Sequence, residues 1–582
     1  MKEKGGFTLI DLLVASVIVG LVFVAILGAF RIALKAIQLS YLKSTALALA
    51  NQKIELARNL PYEKVGTVGG IPSGIIPQTE NITRNRVEFT VKTTVLYIDD
   101  PFDGTAPDDP VPTDYKRIKV KVSWQAGHPG EVFLISDIAP PGVEGESEGG
   151  TLFISVFDSQ GQPVVQADVH IENDNVDPPI NADYQTDSNG NLVIPGAPES
   201  IESYKITVTK PGYSTDRTYG KDEVDNPDKP HATVLKGELT EISFSIDKVS
   251  TFEVYTKEVP QRDEWSDSFE DTSKISDSEN LEIGNGEVKL ALTETGYASS
   301  GYLISETISP GTFDSWYSFS FNDDEPSGTT IKYQFLYFDG TDWVLIPDSD
   351  LTVNGIPNSE GFSDSPVDLF GLDKDKYPEI RVKATFETDD PSVTPILYDW
   401  KVIWNVNDPD PVPNLTFHLQ GAKTIGTDAE GNPVYKYSYD HTTNDSGYIK
   451  ISYLEWDSYT FSVDSEATGF DLVETYPVQP VNLLPDTTQT VILYLKAENT
   501  LLVRVKDAQT GDPIFGASVR LLNTSINYDE TLPTDENGEA FFMPLQSGSY
   551  VLEISAEGYD FYSERLDISG DVVREINLIP SQ

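Results

Sequence analysis

The sequence predicts a multidomain, mainly β chain: a long N-terminal transmembrane and stem α-helix with a small sheet, then a string of antiparallel β-sandwiches. Three observations carry this. From Phe7 to Phe30 the only charge is Asp11, and the run exceeds the roughly 20 apolar residues a helix needs to cross a bilayer. At 582 residues the chain is too long for one core, and its length suggests about four domains. The 42 Gly and 38 Pro, with many Tyr and Phe and frequent Val/Thr/Ile alternation, point to short strands joined by turns.

Composition excludes several functions. The net charge is −52. It resides beyond residue 60, because the first sixty residues hold seven Lys/Arg against three Asp/Glu. Such an exterior repels nucleic acid and anionic membranes and favours solubility. The absence of cysteine removes disulfides, thiolate metal sites and Cys nucleophiles.

Nothing in the apolar run breaks a helix sharply. It has no proline, and Gly20 and Gly28 cost about 1 kcal/mol each, which membrane helices tolerate. Asp11 is the anomaly. A carboxylate deep in such a segment costs roughly 2.5–3.5 kcal/mol and normally marks a function with a cationic partner. The span offers none, but cleavage after Gly6 creates one: the new α-amine of Phe7 lies a helical turn from Asp11 and can pair with Asp11 of a neighbouring subunit. The stretch Met1–Val14, MKEKGGFTLIDLLV, resembles the class III signal of type IV prepilins and pseudopilins. The resemblance implies a prepilin peptidase that cuts between Gly6 and Phe7 and methylates the Phe7 amine, with Asp11 as the assembly carboxylate where the family usually has Glu. The run is too long for a secretory signal and lacks its A-x-A-like exit. A plain signal anchor is the other alternative.

Beyond the span, Ala33, Leu34, Ile37, Leu42, Ala46, Leu49 and Ile54 recur at three- and four-residue steps. One helix from Phe7 to about Leu60 is therefore expected, stopped by Pro61, its second half packed on a sheet. The stretch Ala46–Gly66 adds to the similarity with minor pilins and pseudopilins. Two alternating runs, RVEFTVKTTVLYI and YKRIKVKVSW, read as a hairpin of that sheet, a pilin-like head as the resemblance implies. The acidic loop between them offers Asp99, Asp100 and Asp103 as candidate Ca²⁺ ligands, although the spacing of calcium-binding hands is missing. The expected segments are a leader at 1–6, the helix at 7–60, the head at 61–138 and a Gly/Glu-rich linker at 139–149.

An internal repeat follows. GTLFISVFDSQGQPVVQADVHIEN (Gly150–Asn173) matches NTLLVRVKDAQTGDPIFGASVRLLN (Asn499–Asn523). Each copy continues into a T-D-x-x-G turn, at Thr186–Gly190 and Thr534–Gly538, then a strand with Tyr204 or Tyr550, then Gly212–Tyr213 or Gly558–Tyr559. A weaker copy runs from Leu415 to about Leu495. These units resemble carboxypeptidase-regulatory-like domains, small transthyretin-type β-sandwiches, at 150–250, 407–497 (degenerate) and 498–582. TDSNG and TDENG resemble fragments of a calcium loop, but an Asx-type turn at Asp187 and Asp535 explains them better. In related collagen-adhesin B-type domains a Lys–Asn isopeptide bond forms beside a buried acid. Here the lysine slots hold Val156 and Val505 and the acid slots hold Val208 and Ile554, which argues against the cross-link.

The interval 251–406 alternates with period two and resembles the jelly-roll sandwiches of laminin-G-like and carbohydrate-binding modules. It contains Trp265, Trp316, Trp343, Trp400 and Trp404, five of the seven tryptophans. Strand tryptophans usually fill a core; as the alternative, Trp265, Trp316 and Trp343 are candidate ligand-binding residues for a glycan or other surface ligand.

No catalytic set emerges, so an enzyme is not expected. The five histidines are scattered, no phosphate-binding Gly-Lys-Ser/Thr loop is present, and Gly145-Glu-Ser147-Glu-Gly149 matches a nucleophile elbow only formally, in a tract without strand or helix. No cofactor is expected apart from Ca²⁺ at the acidic loop. The expected function is a minor pilin- or pseudopilin-like subunit of a type IV-type filament or secretion pseudopilus. Its partners would be prepilin peptidase, other pilin subunits and the cytoplasmic membrane, with no nucleic acid. The precursor would cross the cytoplasmic membrane once, its β-domains outside, and reach the cell surface on assembly. The competing reading is an anchored surface adhesin or stalk that never polymerises.

Overall fold

The computed structural model describes residues 9–102, 104, 106, 112–140 and 149–581. The leader, Phe7 and most of the linker lie outside the described residues. The fold class is the expected one, a single long N-terminal helix followed by mainly antiparallel sheets paired into sandwiches, although three of the sheets each include one parallel pair.

Helix α1 spans Leu9–Arg58, about 75 Å at 1.5 Å per residue. Pro61, which has no N–H to donate, begins a short 3₁₀ turn at Tyr62–Lys64. The helix covers a meander of four antiparallel strands, β1 (Thr79–Arg84), β2 (Val87–Ile98), β3 (Tyr115–Trp124) and β4 (Gly130–Ile138). The expected hairpin is β2–β3, with Phe89 opposite Trp124 and Ile98 opposite Tyr115. Strand β1 enters β2 through Asn85 and Arg86, both at positive φ (50° and 67°), the two-residue turn that matches strand twist.

The head core joins Leu42, Ala46, Leu49, Ala50, Ile54 and Ala57 of the helix to Phe89, Val91, Val95, Ile118, Val120 and Val122 of the sheet. Each fully buried Leu or Ile contributes roughly 1.5–3 kcal/mol. The amphipathic stripe begins later than the sequence suggests. Leu34 and Ile37 remain 51% and 66% exposed, because the sheet covers only the C-terminal part of α1.

One cation lies inside this head. Lys116 is 1% exposed, and its ammonium donates to the carbonyls of Tyr62 (2.9 Å) and Val65 (2.7 Å) while lying over the Tyr62 and Tyr97 rings. It ties the turn that follows α1 to β3. Burial lowers its pKa from 10.5 to about 8, against the opposing pull of Glu63.

The head packs directly on the first sandwich. The Ile71 amide donates to the buried Tyr184 hydroxyl at 2.8 Å, and Ile71 belongs to the sandwich core. In this unit Gly149–Phe157 lies between Asn191–Pro198, antiparallel, and Leu239–Ser245, parallel. The facing sheet has the order Asp216–Arg217, Ser200–Thr209, Asp168–Asn173, Ile180–Gln185. The last unit repeats this plan. Thr500–Asp507 lies between Glu539–Phe542, antiparallel, and Asp571–Leu578, parallel, and the facing sheet runs Tyr528–Pro533, Ser518–Asn523, Gly548–Ser555, Tyr562–Ile568.

The repeat motifs have assignable roles. Asp187 accepts from the amides of Asn189 (2.8 Å) and Asn191 (2.9 Å), and Asp535 from those of Asn537 (2.9 Å) and Glu539 (2.8 Å). These are the expected Asx turns. The preceding threonine closes a loop: Thr186 bridges the Ala167 amide and the Val164 carbonyl, and Thr534 bridges the Ala517 amide and the Ile514 carbonyl. Tyr204, Tyr459 and Tyr550 are buried and donate to carbonyls a few residues upstream, at Pro198, Glu455 and Gln546. Val156, Val208, Val505 and Ile554 all lie in the cores.

The second unit corrects the boundary expected at residue 251. Its central strand is Ser250–Glu258, antiparallel to Tyr448–Leu454 and parallel to Thr488–Ala497, the same pattern as in the other two. The sandwich of 262–405 is therefore inserted into the second repeat after its first strand. Its two sheets have the orders Leu281–Gly284, Glu287–Leu290, Ile396–Asn405, Ser315–Asp324, Val367–Asp368 and Ile275–Glu279, Ser300–Ser305, Arg381–Thr388, Thr329–Phe338, Trp343–Leu345. The chain leaves and returns side by side: the Glu258 amide donates to the Asp410 carbonyl at 2.9 Å.

Two outcomes are expected. Replacing residues 260–408 by a Gly/Ser loop of about four residues, a common connection length, leaves the second unit folded with a cooperative thermal transition, whereas deleting 250–258 abolishes it. Second, because the folded value for Lys116 lies below 10.5, the unfolded chain holds more protons between about pH 8 and 10.5, and stability rises with pH across that window. The melting temperature of the native protein relative to Lys116→Met should climb from pH 8 to 10; a constant difference contradicts the assignment.

Candidate functional site

The N-terminal half of α1 is the first candidate. Val17, Ile18, Leu21, Phe23, Val24 and Ile26 are each more than half exposed. A window within Ser16–Arg58 reaches a mean hydropathy of 2.6 with none of it buried. It is the one helix among the described residues long and apolar enough to cross a membrane. Gly6 and Phe7 lie outside the described residues. Asp11 falls in the first turns of the α1 backbone, and its side chain lies outside the description.

Among the described residues, the acidic loop after β2 does not gather ligands. Asp99 accepts from the Ala106 amide at 2.8 Å, Asp100 accepts from the Phe102 amide at 3.2 Å, and the Asp100 amide donates to Asp114. These carboxylates fold the loop on itself. Asp103 lies outside the described residues, and among those described no three His, Asp or Glu side chains are placed to hold a metal ion.

The tryptophans separate into two groups. Trp316 and Trp400 are fully buried. Trp316 packs on Phe313 (4.8 Å between centroids) and donates to the Tyr377 carbonyl at 2.9 Å, and Trp400 is flanked by Phe269 and Phe319. Trp265 closes the rim of the same core beside Trp400, its indole N–H on Glu306 at 2.9 Å. Trp265 and Trp316 are thus core residues rather than a ligand platform: alternation turns both inward, where the sandwich needs large apolar volume. Trp343 differs. It sits on the outer side of a sheet, half-buried, with the Arg381 guanidinium 4.2 Å from its ring centre and Phe338 beside it.

A further constellation, missed in the sequence, fixes the inserted sandwich to the second repeat. Arg262 stacks on Tyr317 at 3.7 Å and forms a two-pronged pair with Glu474, which also accepts from the Tyr317 hydroxyl at 2.9 Å. Burial pushes the Tyr317 hydroxyl up to about 12. Phe370 stacks on Tyr476 at 4.1 Å alongside. The partners across the junction lie 157 and 212 residues apart for Tyr317 and Arg262 against Glu474, and no sequence signal joins them. Lys116, by contrast, shares the strand parity of Ile118, Val120 and Val122, a legible sign that it points inward.

Comparison with curated proteins finds no match. Among solved structures, the Bacillus anthracis TIE protein is 11% identical over 86% of this chain and 73% of its own, with a TM-score of 0.18. The shaft pilin SpaA from Lactobacillus rhamnosus GG is 13% identical over 31% of this chain and 92% of its own (TM-score 0.19). BcpA, the major pilin subunit of Bacillus cereus, is 10% identical over 74% of this chain and 100% of its own (TM-score 0.14). Superpositions this poor bear neither on fold nor on function. Residues 500–578 match the carboxypeptidase regulatory-like domain family, and the two repeat units before them share with that sandwich the parallel pairing of first and last strands.

Proposed function

We propose that the chain is a pilin-like surface subunit, held in the cytoplasmic membrane as a precursor and built into a type IV-type filament or secretion pseudopilus through α1. One observation carries this reading: a single continuous helix is packed against the head from about Leu42 onward and, among the described residues, bare and apolar over its N-terminal half. Bare apolar helix is stable in lipid or against other such helices, not in water. Prepilin peptidase would release the Phe7 amine after Gly6, and Asp11 of an adjoining subunit would neutralise it in the dry interior. The remaining domains would then be displayed outside. Their bulk suits a tip or sparse position.

Mass spectrometry of the mature N-terminus tests processing: methylated Phe7 is expected, and a retained Met1–Gly6 leaves an anchored surface protein that does not polymerise. Asp11→Ala tests assembly. It should reduce recovery in sheared filaments by about tenfold or more, the scale of an unpaired intramembrane charge of roughly 2.5–3.5 kcal/mol, while membrane levels stay unchanged. Unaltered incorporation would sink the amine–carboxylate pairing.

A further inference from the structure

The outer face of the second repeat joins three residues from two strands into one line of hydrogen bonds. On Thr416–Gly421, Phe417 and Leu419 are buried, so His418 and Gln420 point to the opposite side. The neighbouring strand, Ser438–Thr442, is the edge of its sheet and sets Asp440 opposite His418 and Ser438 opposite Gln420. His418 spans the two. Its Nδ1 lies 2.7 Å from an Asp440 carboxylate oxygen, and its Nε2 lies 2.9 Å from the Ser438 hydroxyl. A carboxylate on Nδ1 keeps the ring proton there, so Nε2 accepts from the hydroxyl. Nucleophile, base and orienting acid thus stand in the order that acyl transfer to a serine requires, an order recognised by geometry and not by place in the chain.

The other two repeats use the same position differently. His170, His418 and Arg520 each stand seven residues after the proline that bridges to the first strand, Pro163, Pro411 and Pro513. His170 is held between Asp183 at 2.7 Å and Glu172 at 3.0 Å, and Arg520 between Asp529 and Glu553. Both are side chains clamped by two carboxylates, an arrangement that ties strands together. In the second unit one carboxylate is gone: Gln420 stands where the first unit has Glu172, and Ser438 where it has Asn181. The second ring nitrogen therefore meets a hydroxyl it can deprotonate, in place of an acid that would favour the charged ring. Ser438 and Asp440 are exposed, and a reagent reaches the hydroxyl from the open side of the edge strand.

We propose that Ser438, His418 and Asp440 form an acyl-transfer site that takes small activated carboxylic esters. Ser438 Oγ attacks the carbonyl carbon as its proton passes to His418 Nε2, and Gln420, across from Ser438 on the same face, donates its amide to the oxyanion. The bond from carbonyl carbon to leaving oxygen then breaks, the leaving oxygen takes the proton from His418, and an acyl-Ser438 ester remains. Water, giving its proton to His418, attacks that ester; the acid departs and the proton returns to Ser438. Asp440 is a positioning residue, acting on the ester only through His418. On an exposed edge strand the site selects for a reactive leaving group more than for the shape of the acyl chain. The activity is separate from assembly through α1 and holds whether or not the subunit polymerises.

The test is incubation of the full-length protein in neutral detergent with p-nitrophenyl acetate, read by nitrophenolate release and by mass spectrometry of the acetylated peptides. The expected result is an acetyl group on Ser438 that Ser438→Ala removes together with most of the nitrophenolate release. His418→Gln should slow acetylation of Ser438 by about a hundredfold, the lower end of what a positioned general base contributes, whereas His170→Gln leaves it unchanged. Asp440→Asn should slow it several-fold and Asp440→Glu recover part of that loss, which a purely structural role would not do. These changes lie outside the core, and an unaltered melting temperature shows that the fold is kept. The proposal is overturned by no acetyl group on Ser438, by acetylation of Ser438 no faster than that of other exposed serines, or by a rate unchanged in His418→Gln.

Discussion

The arrangement of this protein depends on one pairing, used three times: the first strand of each repeat lies parallel to the last. Gly149–Phe157 with Leu239–Ser245, Ser250–Glu258 with Thr488–Ala497, and Thr500–Asp507 with Asp571–Leu578 all obey it. Parallel neighbours run in the same direction, so the chain enters each sandwich at one end and leaves at the other.

The same pairing explains how the second repeat accepts a whole domain. Its first strand is held on both sides by strands more than 180 residues away in sequence, and the two crossings of the insertion are hydrogen-bonded together at Glu258 and Asp410. Closing a loop costs free energy that grows only with the logarithm of its length, so the insertion is tolerated once its ends meet. The Arg262–Tyr317–Glu474 cluster then fixes the inserted sandwich against its host. Arginine suits that place because its planar group stacks on a ring and grips a carboxylate with two donors at once.

Much of this was legible in the residues. The T-D-x-x-G turns and the buried tyrosines mark local geometry, and local geometry leaves local signatures, so the repeats and the β2–β3 hairpin were expected from spacing alone. The second repeat's first strand was not, because T-F-E-V-Y-T-K-E reads as a strand of whatever follows it. Strands β1 and β4 escaped for another reason: TENITR holds a single apolar residue, Ile82, and GEVFLISDI lacks a period of two. The tryptophans show the limit of composition, since Trp316 and Trp343 sit on similar alternating strands and only the sheet decides which face is covered. Of the assembly residues, Gly6 and Phe7 fall outside the described chain, and the reading of Asp11 rests on its place in an apolar run.

The parallel closure also bears on mechanics. When the string of repeats is pulled from its two ends, tension reaches each repeat at the start of its first strand and departs from the finish of its last, so the two strands are drawn past each other lengthwise. Their backbone bonds then carry the load together in shear instead of peeling open one by one. In the second repeat the force passes from Ser250–Glu258 straight across to Thr488–Ala497, which leaves the inserted sandwich hanging beside the strained path, slack while its host bears the pull.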